Sequence, residues 1–85
     1  MPSISEFYGI IIRMFYNDHN PPHFHAQYGG TKGMFDLQGN MIKGNLKPEA
    51  QRLVKKWAEI RTEELRENWN NIESKVPLNK IAPLD

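Results

Sequence analysis

The sequence predicts a single α+β domain, in which one long C-terminal helix packs on one face of an antiparallel sheet of three to four strands in β-meander order. Three patterns support this prediction: short apolar runs separated by turn residues over 1–44, apolar residues at helical spacing over 45–75, and apolar residues alternating with prolines over 76–85. The last pattern predicts an extended tail lying against the domain. Because a chain of 85 residues has room for one compact core, we expect residues 1–85 to form one domain.

The first segment, residues 1–44, predicts strands joined by tight turns. Residues 10–16 are mainly apolar on both alternating faces, which favours a central position in the sheet. The pair Gly29-Gly30 suits a two-residue hairpin turn, whereas residues 4–8 are expected to form an extended lead-in that ends at Gly9. The predicted strands occupy residues 10–16, 23–28, 31–37 and 41–43.

The second segment, residues 45–75, predicts one helix that begins near Pro48 and ends before Pro77. The stripe thins at Glu64, so the helix could kink or break near residues 61–64. Basic residues precede acidic ones along this helix, the opposite of the order that the helix dipole favours. Apolar residues recur at three- and four-residue steps, at Ala50, Leu53, Val54, Trp57, Ile60, Leu65, Trp69 and Ile72.

The composition excludes several classes of function. Eleven Lys and Arg residues against ten Asp and Glu residues give a formal charge of +1, so no global positive field indicates a nucleic-acid partner. The absence of cysteine excludes disulfides, thiolate nucleophiles and cysteine-ligated zinc. The most apolar stretch, residues 9–16, is much shorter than the ~20 residues of a membrane span. Since no signal-peptide pattern is present either, we expect a cytoplasmic protein with no membrane partner.

All three histidines lie between His19 and His25, around a Pro-Pro corner. Side chains alternate along a strand, so we expect His23, His25 and Gln27 to share one face and both imidazoles to point away from the helix. His19 precedes the corner and could fold back towards the other two. Three imidazoles with pKa values near neutrality can act as acid, base or metal ligand.

One interpretation of this cluster is a metal-independent ribonuclease. His23 and His25, with His19 as a third candidate, would form an acid–base pair in which one imidazole takes the 2′-hydroxyl proton and another protonates the leaving oxygen. Arg13 or Lys32 would bind the phosphate. The rival, non-catalytic interpretation is that the histidines and prolines form a rigid corner that shapes an interface with a partner.

A third interpretation is a metal site. Two histidines in an H-x-H arrangement on a strand, with one further ligand from His19, Asp18 or Asp36, would supply three nitrogen and oxygen ligands and leave one position open. We predict no cofactor, and the alternative is a divalent metal ion held by His19, His23 and His25.

Other residues are candidates for contact with a protein partner. Arg52, Lys55 and Lys56 form a basic cluster that precedes the acidic residues, so the helix could present a bipolar strip to a partner. Three cations are too few to hold a nucleic-acid duplex tightly at physiological salt. Tyr28, beside the histidines, is a further candidate. An exposed edge of the fourth strand would permit a homodimer as well as a monomer.

Several motifs are specific enough to indicate a family. The string Asp18-His-Asn-Pro-Pro-His-Phe-His25, together with the N-terminal run Met1-Pro-Ser-Ile-Ser-Glu-Phe-Tyr-Gly-Ile-Ile-Ile-Arg-Met-Phe-Tyr16, resembles the small bacterial family known as domain of unknown function 4160. The likeness continues through Trp57-Ala-Glu, Asn68-Trp69 and Pro77-Leu78, and covers essentially the whole chain.

The resemblance implies a stand-alone bacterial protein that is encoded beside another small protein, in a layout similar to toxin–antitoxin pairs. It implies no established catalytic residue, so His19, His23 and His25 transfer only as signature residues. From it we predict one component of a toxin–antitoxin-like two-gene module, which acts through protein–protein interaction with its cognate small protein.

Overall fold

The computed structural model describes residues 3–85; Met1 and Pro2, which belong to the predicted sheet segment and to the N-terminal family motif, lie outside the described residues. Within 3–85, neither helix is long and apolar enough to cross a membrane. The strands pair in sequence order as one five-stranded antiparallel sheet. The elements are β1 (Ser5–Phe7), β2 (Ile10–Arg13), β3 (His23–Tyr28), β4 (Thr31–Asp36), β5 (Met41–Gly44), α1 (Pro48–Ile60) and α2 (Thr62–Ser74).

The predicted α+β class and the antiparallel meander are confirmed, but the sheet has one more strand than predicted. The additional strand is β1. Tyr8 and Gly9 both adopt positive φ, 51° and 80°, and form a two-residue turn that pairs β1 with β2. On the outer side of the sheet, the Ile81 N–H donates to the Ile4 carbonyl at 2.8 Å, so the tail lies along this edge.

Two helices replace the predicted single helix. The interruption is at Arg61, whose φ of −108° and ψ of 23° are not helical. Directly after it, the Thr62 hydroxyl donates to the Ala58 carbonyl at 2.9 Å, a side-chain bond that competes with helical backbone bonding. Glu63 and Glu64 then lie in the first turn of α2, near the positive end of its dipole. In one long helix these acidic residues would lie in its later half, where the helix dipole disfavours negative charge. At the start of a second helix the dipole favours them.

The core lies between the two helices and one face of the sheet. Trp57 is fully buried, with its ring centroid 5.3 Å from that of Phe7 and 5.7 Å from that of Phe24. Its Nε1 donates to the Ala82 carbonyl at 2.9 Å, which ties the tail to the same core. The other sheet face is open to solvent, and Lys32 on it is exposed. Further buried residues include Ile10, Ile12, Ala26, Phe35, Val54, Leu65 and Trp69.

The tail after α2 is extended and is held by hydrogen bonds to its backbone. Asn68 is fully buried; its Nδ2 donates to the Asn79 carbonyl and its Oδ1 accepts from the Asn79 N–H, both at 2.9 Å. The Tyr16 hydroxyl donates to the Val76 carbonyl at 2.8 Å and accepts from the Leu78 N–H at 3.1 Å. These bonds connect the tail to α2 and to the loop that follows β2.

Candidate metal centre

Strand β3 places two histidines on one side of the sheet. Phe24 and Ala26 are buried under the helices, so His23 and His25 lie on the other face, with ring centroids 5.2 Å apart. The expectation that both imidazoles point away from the helix is wrong for His23, which is 6% exposed and whose ring centroid lies 5.4 Å from that of Trp69 on α2. The His25 side chain is 32% exposed. The pair therefore combines a buried imidazole with an accessible one.

The third member of the cluster is Asp18, in the loop that joins β2 to β3. Its N–H donates to the Phe15 carbonyl at 3.2 Å, forming a turn that directs the loop back towards the sheet. Asp18 Oδ2 lies 3.1 Å from His23 Nε2 and 3.3 Å from His25 Nε2. All three candidate ligand atoms lie within 4.8 Å of one another. Two imidazole nitrogens thus converge on one carboxylate oxygen.

The backbone determines which nitrogen of His23 carries a proton. His23 Nδ1 lies 2.8 Å from the Pro21 carbonyl oxygen, and because that oxygen can only accept, Nδ1 must donate its N–H. In the neutral ring, Nε2 then presents a lone pair to Asp18 Oδ2, which is also an acceptor. This contact of 3.1 Å is favourable when a proton or a metal ion lies between the two acceptors.

The environment of His25 favours its uncharged form. Burial lowers the pKa of His25 below its usual value, since desolvation penalises the imidazolium, and the Asp18 carboxylate opposes this shift by attracting the charged form. Repulsion from His23 and Lys32 lowers this pKa further. The uncharged imidazole is the form that binds metal ions.

The other two candidates for the third ligand lie outside the cluster. His19 is exposed and does not belong to the group of converging ligand atoms. Asp36 lies opposite His23 in the strand register, but its carboxylate accepts hydrogen bonds from the N–H groups of Gln38 and Asn40 at 3.0 and 2.9 Å. That carboxylate therefore stabilises the turn between β4 and β5.

The open sheet face carries a concavity of about 470 Å³ beside His25. Both residues predicted to bind phosphate, Arg13 and Lys32, line it, and Arg13 Nη1 donates to Gln27 Oε1 at 3.0 Å. Lys43 of β5 lines the same concavity, a contribution that sequence reasoning missed. In the sequence, only the position of Lys43 in a short predicted strand indicates which sheet face it lies on. That position does not show that the strand pairs with β4.

The basic residues predicted to contact a protein partner lie close together on α1, where Arg52 is three residues before Lys55 and four before Lys56, and all three are exposed. Arg52 and Lys55 line one concavity beside α1, whereas Lys56 lines a different one. Lys55 Nζ also donates to Asn40 Oδ1 at 2.8 Å. Tyr28 lies on β3, half-buried against the core. Tyr28 is therefore less accessible to a partner than the three exposed helix cations.

Comparison with known proteins identifies a family for this chain. A family model described as a domain of unknown function, DUF4160, matches residues 9–70, which include Asp18, His23 and His25. No curated protein matches the chain, and no solved structure matches it.

Proposed function

Because this chain belongs to the DUF4160 family of domains of unknown function, its role has to be inferred from its own site, and we propose that it is a divalent-metal-binding protein with hydrolase chemistry. Asp18, His23 and His25 hold the ion. The observation that carries this proposal is the convergence of His23 Nε2 and His25 Nε2 on Asp18 Oδ2, at 3.1 and 3.3 Å.

Two of the distances between these atoms suit ligands of a common metal ion. Ligands that lie about 2.0–2.1 Å from an ion at octahedral or tetrahedral angles are separated from one another by about 2.9–3.4 Å. The two separations that involve Asp18 Oδ2 fall within this range. Two histidines and one carboxylate form a set that binds zinc, iron and related divalent ions.

The second ring nitrogen of His23 supports the same proposal. Histidines that bind metals generally donate their other N–H to a carbonyl or carboxylate, which fixes the tautomer and the ring orientation. His23 Nδ1 makes this bond to the Pro21 carbonyl, and Trp69 packs against the ring. The ligand nitrogen is therefore oriented before any ion binds.

Three protein ligands leave coordination positions for water and substrate, as in catalytic metal sites. A divalent ion lowers the pKa of bound water and polarises a phosphoryl or carbonyl oxygen, which favours hydrolysis. Because His25 is the accessible member of the cluster and lines the concavity, a substrate would reach the ion from that side.

The acid–base ribonuclease is supported less well by this geometry. His23 and His25 direct their Nε2 atoms to the same carboxylate oxygen, so neither of these nitrogens is free to face a substrate. RNA cleavage that persists in chelator and is lost in His25→Ala would favour the acid–base pair. Membership of a toxin–antitoxin-like module stays a prediction, which co-purification with the product of the adjacent gene tests.

Tryptophan fluorescence tests metal binding at this site. We expect Co²⁺ added to chelator-treated, untagged protein to quench the emission saturably, since open-shell ions quench nearby indoles and Trp69 lies 5.4 Å from His23. Trp57→Phe keeps Trp69 as the only indole and should retain the quenching, whereas Trp69→Phe should lose it. Equal quenching in both variants, or none in the parent protein, contradicts the proposed site.

A further inference from the structure

The strand register arranges the open sheet face around His25. Arg13 of β2 and Met34 of β4 are the direct cross-strand partners of His25, and Lys43 of β5 is the partner of Met34. These four residues form one row across the sheet. Because neighbouring strands lie about 4.8 Å apart, Arg13 is one strand from His25 and Lys43 is about two strands away. Cations therefore flank the accessible metal ligand on both sides.

The neighbouring row adds a third cation. Lys32 lies opposite Gln27, which accepts the hydrogen bond from Arg13. In the described part of the chain, no carboxylate lies within 4.0 Å of the side-chain nitrogens of Arg13, Lys32 or Lys43. Three cations without an acidic partner that line one concavity favour an anionic ligand.

Part of the lining of this concavity is apolar. Ile11, Phe15 and Met34 line it together with the cations, and Phe15 makes an edge contact with the His25 ring at a centroid distance of 4.9 Å. A ligand that fills the concavity must therefore combine an anionic group with an apolar or aromatic body. The volume of about 470 Å³ lies within the range of small-molecule sites and suits one nucleotide unit.

We propose that this concavity binds the phosphate ester of a nucleoside, free or at the end of a short oligonucleotide, as the substrate of the metal centre. The inference rests on the proposed function for its chemistry. Arg13, Lys32 and Lys43 neutralise the phosphate, and Phe15 offers a surface for the base. In the reaction a water oxygen bonds to phosphorus, the ester P–O bond breaks, and the leaving oxygen takes up a proton, which releases an alcohol and a phosphate.

Equilibrium binding of 5′-AMP and adenosine to zinc-treated and chelator-treated protein tests this inference. We expect 5′-AMP to bind at least about tenfold more tightly than adenosine, because only 5′-AMP carries the phosphate. Lys43→Gln should weaken 5′-AMP binding by about fivefold or more, whereas Arg66→Gln, the same change of charge at an exposed position of α2, should leave it unchanged.

The outcomes separate this inference from the proposed function. Equal affinity for adenosine and 5′-AMP, or equal affinity of Lys43→Gln and Arg66→Gln for 5′-AMP, overturns the inference even if the protein binds zinc. If the protein takes up no zinc but binds 5′-AMP, and Lys43→Gln weakens that binding, the result supports the phosphate-binding site and contradicts the metal centre. Tighter binding of a short 5′-phosphorylated oligonucleotide than of 5′-AMP identifies a strand end as the source of the phosphate.

Discussion

Asp18→Asn is expected to weaken Zn²⁺ binding by about a hundredfold or more, because it replaces the shared anionic ligand with a neutral amide of nearly the same shape. Asp18 Oδ2 lies 3.1 Å from His23 Nε2 and 3.3 Å from His25 Nε2, so its substitution affects the whole centre. Asn fits the same loop position, and the fold should be retained. Calorimetric titration of metal-free protein with Zn²⁺ measures the affinity, and His25→Ala should show a loss of similar size.

The matched control is His19→Ala. His19 is the residue next to Asp18, is exposed, and lies outside the group of converging ligand atoms, so its removal should leave the affinity within about twofold of the parent value. Parent-like affinity in Asp18→Asn combined with a large loss in His19→Ala would place the ion on a different set of ligands.

Trp57→Ala is expected to lower the free energy of unfolding by about 3–5 kcal/mol, the range for removing a large buried aromatic side chain. Trp57 is fully buried, packs against Phe7 and Phe24, and donates to the Ala82 carbonyl. Its loss opens a cavity between α1 and the sheet and frees the tail. Urea unfolding followed by circular dichroism measures this effect.

Two variants of α1 control for this result. Trp57→Phe keeps a large buried aromatic ring and should lower the free energy of unfolding clearly less than Trp57→Ala does. Ile60→Ala removes an exposed apolar side chain of the same helix and should change the free energy of unfolding by about 0.5 kcal/mol or less. A loss below about 1 kcal/mol in Trp57→Ala would contradict the central position of this indole in the core.

Local patterns predicted most of the fold. Alternating apolar residues indicated the strands, and the hairpin at Gly29-Gly30 follows from turn chemistry that two adjacent residues define. For β1 the local sequence predicts only an extended lead-in, because the turn after it places Tyr8, a residue that rarely adopts positive φ, beside Gly9. That conformation depends on pairing with the rest of the sheet, which the local sequence does not specify.

The division of the helix is harder to predict because the apolar stripe continues across it. Trp57 and Leu65 lie on either side of the interruption, and both are fully buried. The thinning of the stripe at Glu64 indicates a kink or a break near residues 61–64, but the spacing does not decide between a kinked helix and two helices. The interruption instead reflects the Thr62 hydroxyl bond and the tail, where Arg61 Nη2 donates to the Pro83 carbonyl at 3.4 Å. Contacts between distant parts of the chain therefore contribute to the break.

The candidate site, like the fold, could be predicted from the sequence only where it depends on neighbouring residues. Strand alternation predicted that His23 and His25 share a face, because that relation depends only on residues two positions apart. The choice of Asp18 over His19 depends on how the loop before the Pro-Pro corner returns to the sheet, and adjacent residues there point in different directions. The burial of His23 depends on Trp69, which the second helix brings from far along the chain.

The metal content of the purified protein shows whether Asp18, His23 and His25 form a metal centre. Untagged protein, dialysed against trace amounts of zinc, manganese, iron and nickel and then freed of loosely bound ions, is analysed for each element. We predict about one divalent ion per chain in the parent and in His19→Ala, and about a tenth of that or less in Asp18→Asn and His25→Ala. A parent protein with no bound ion, or equal metal content in all four proteins, would contradict a metal centre formed by Asp18, His23 and His25.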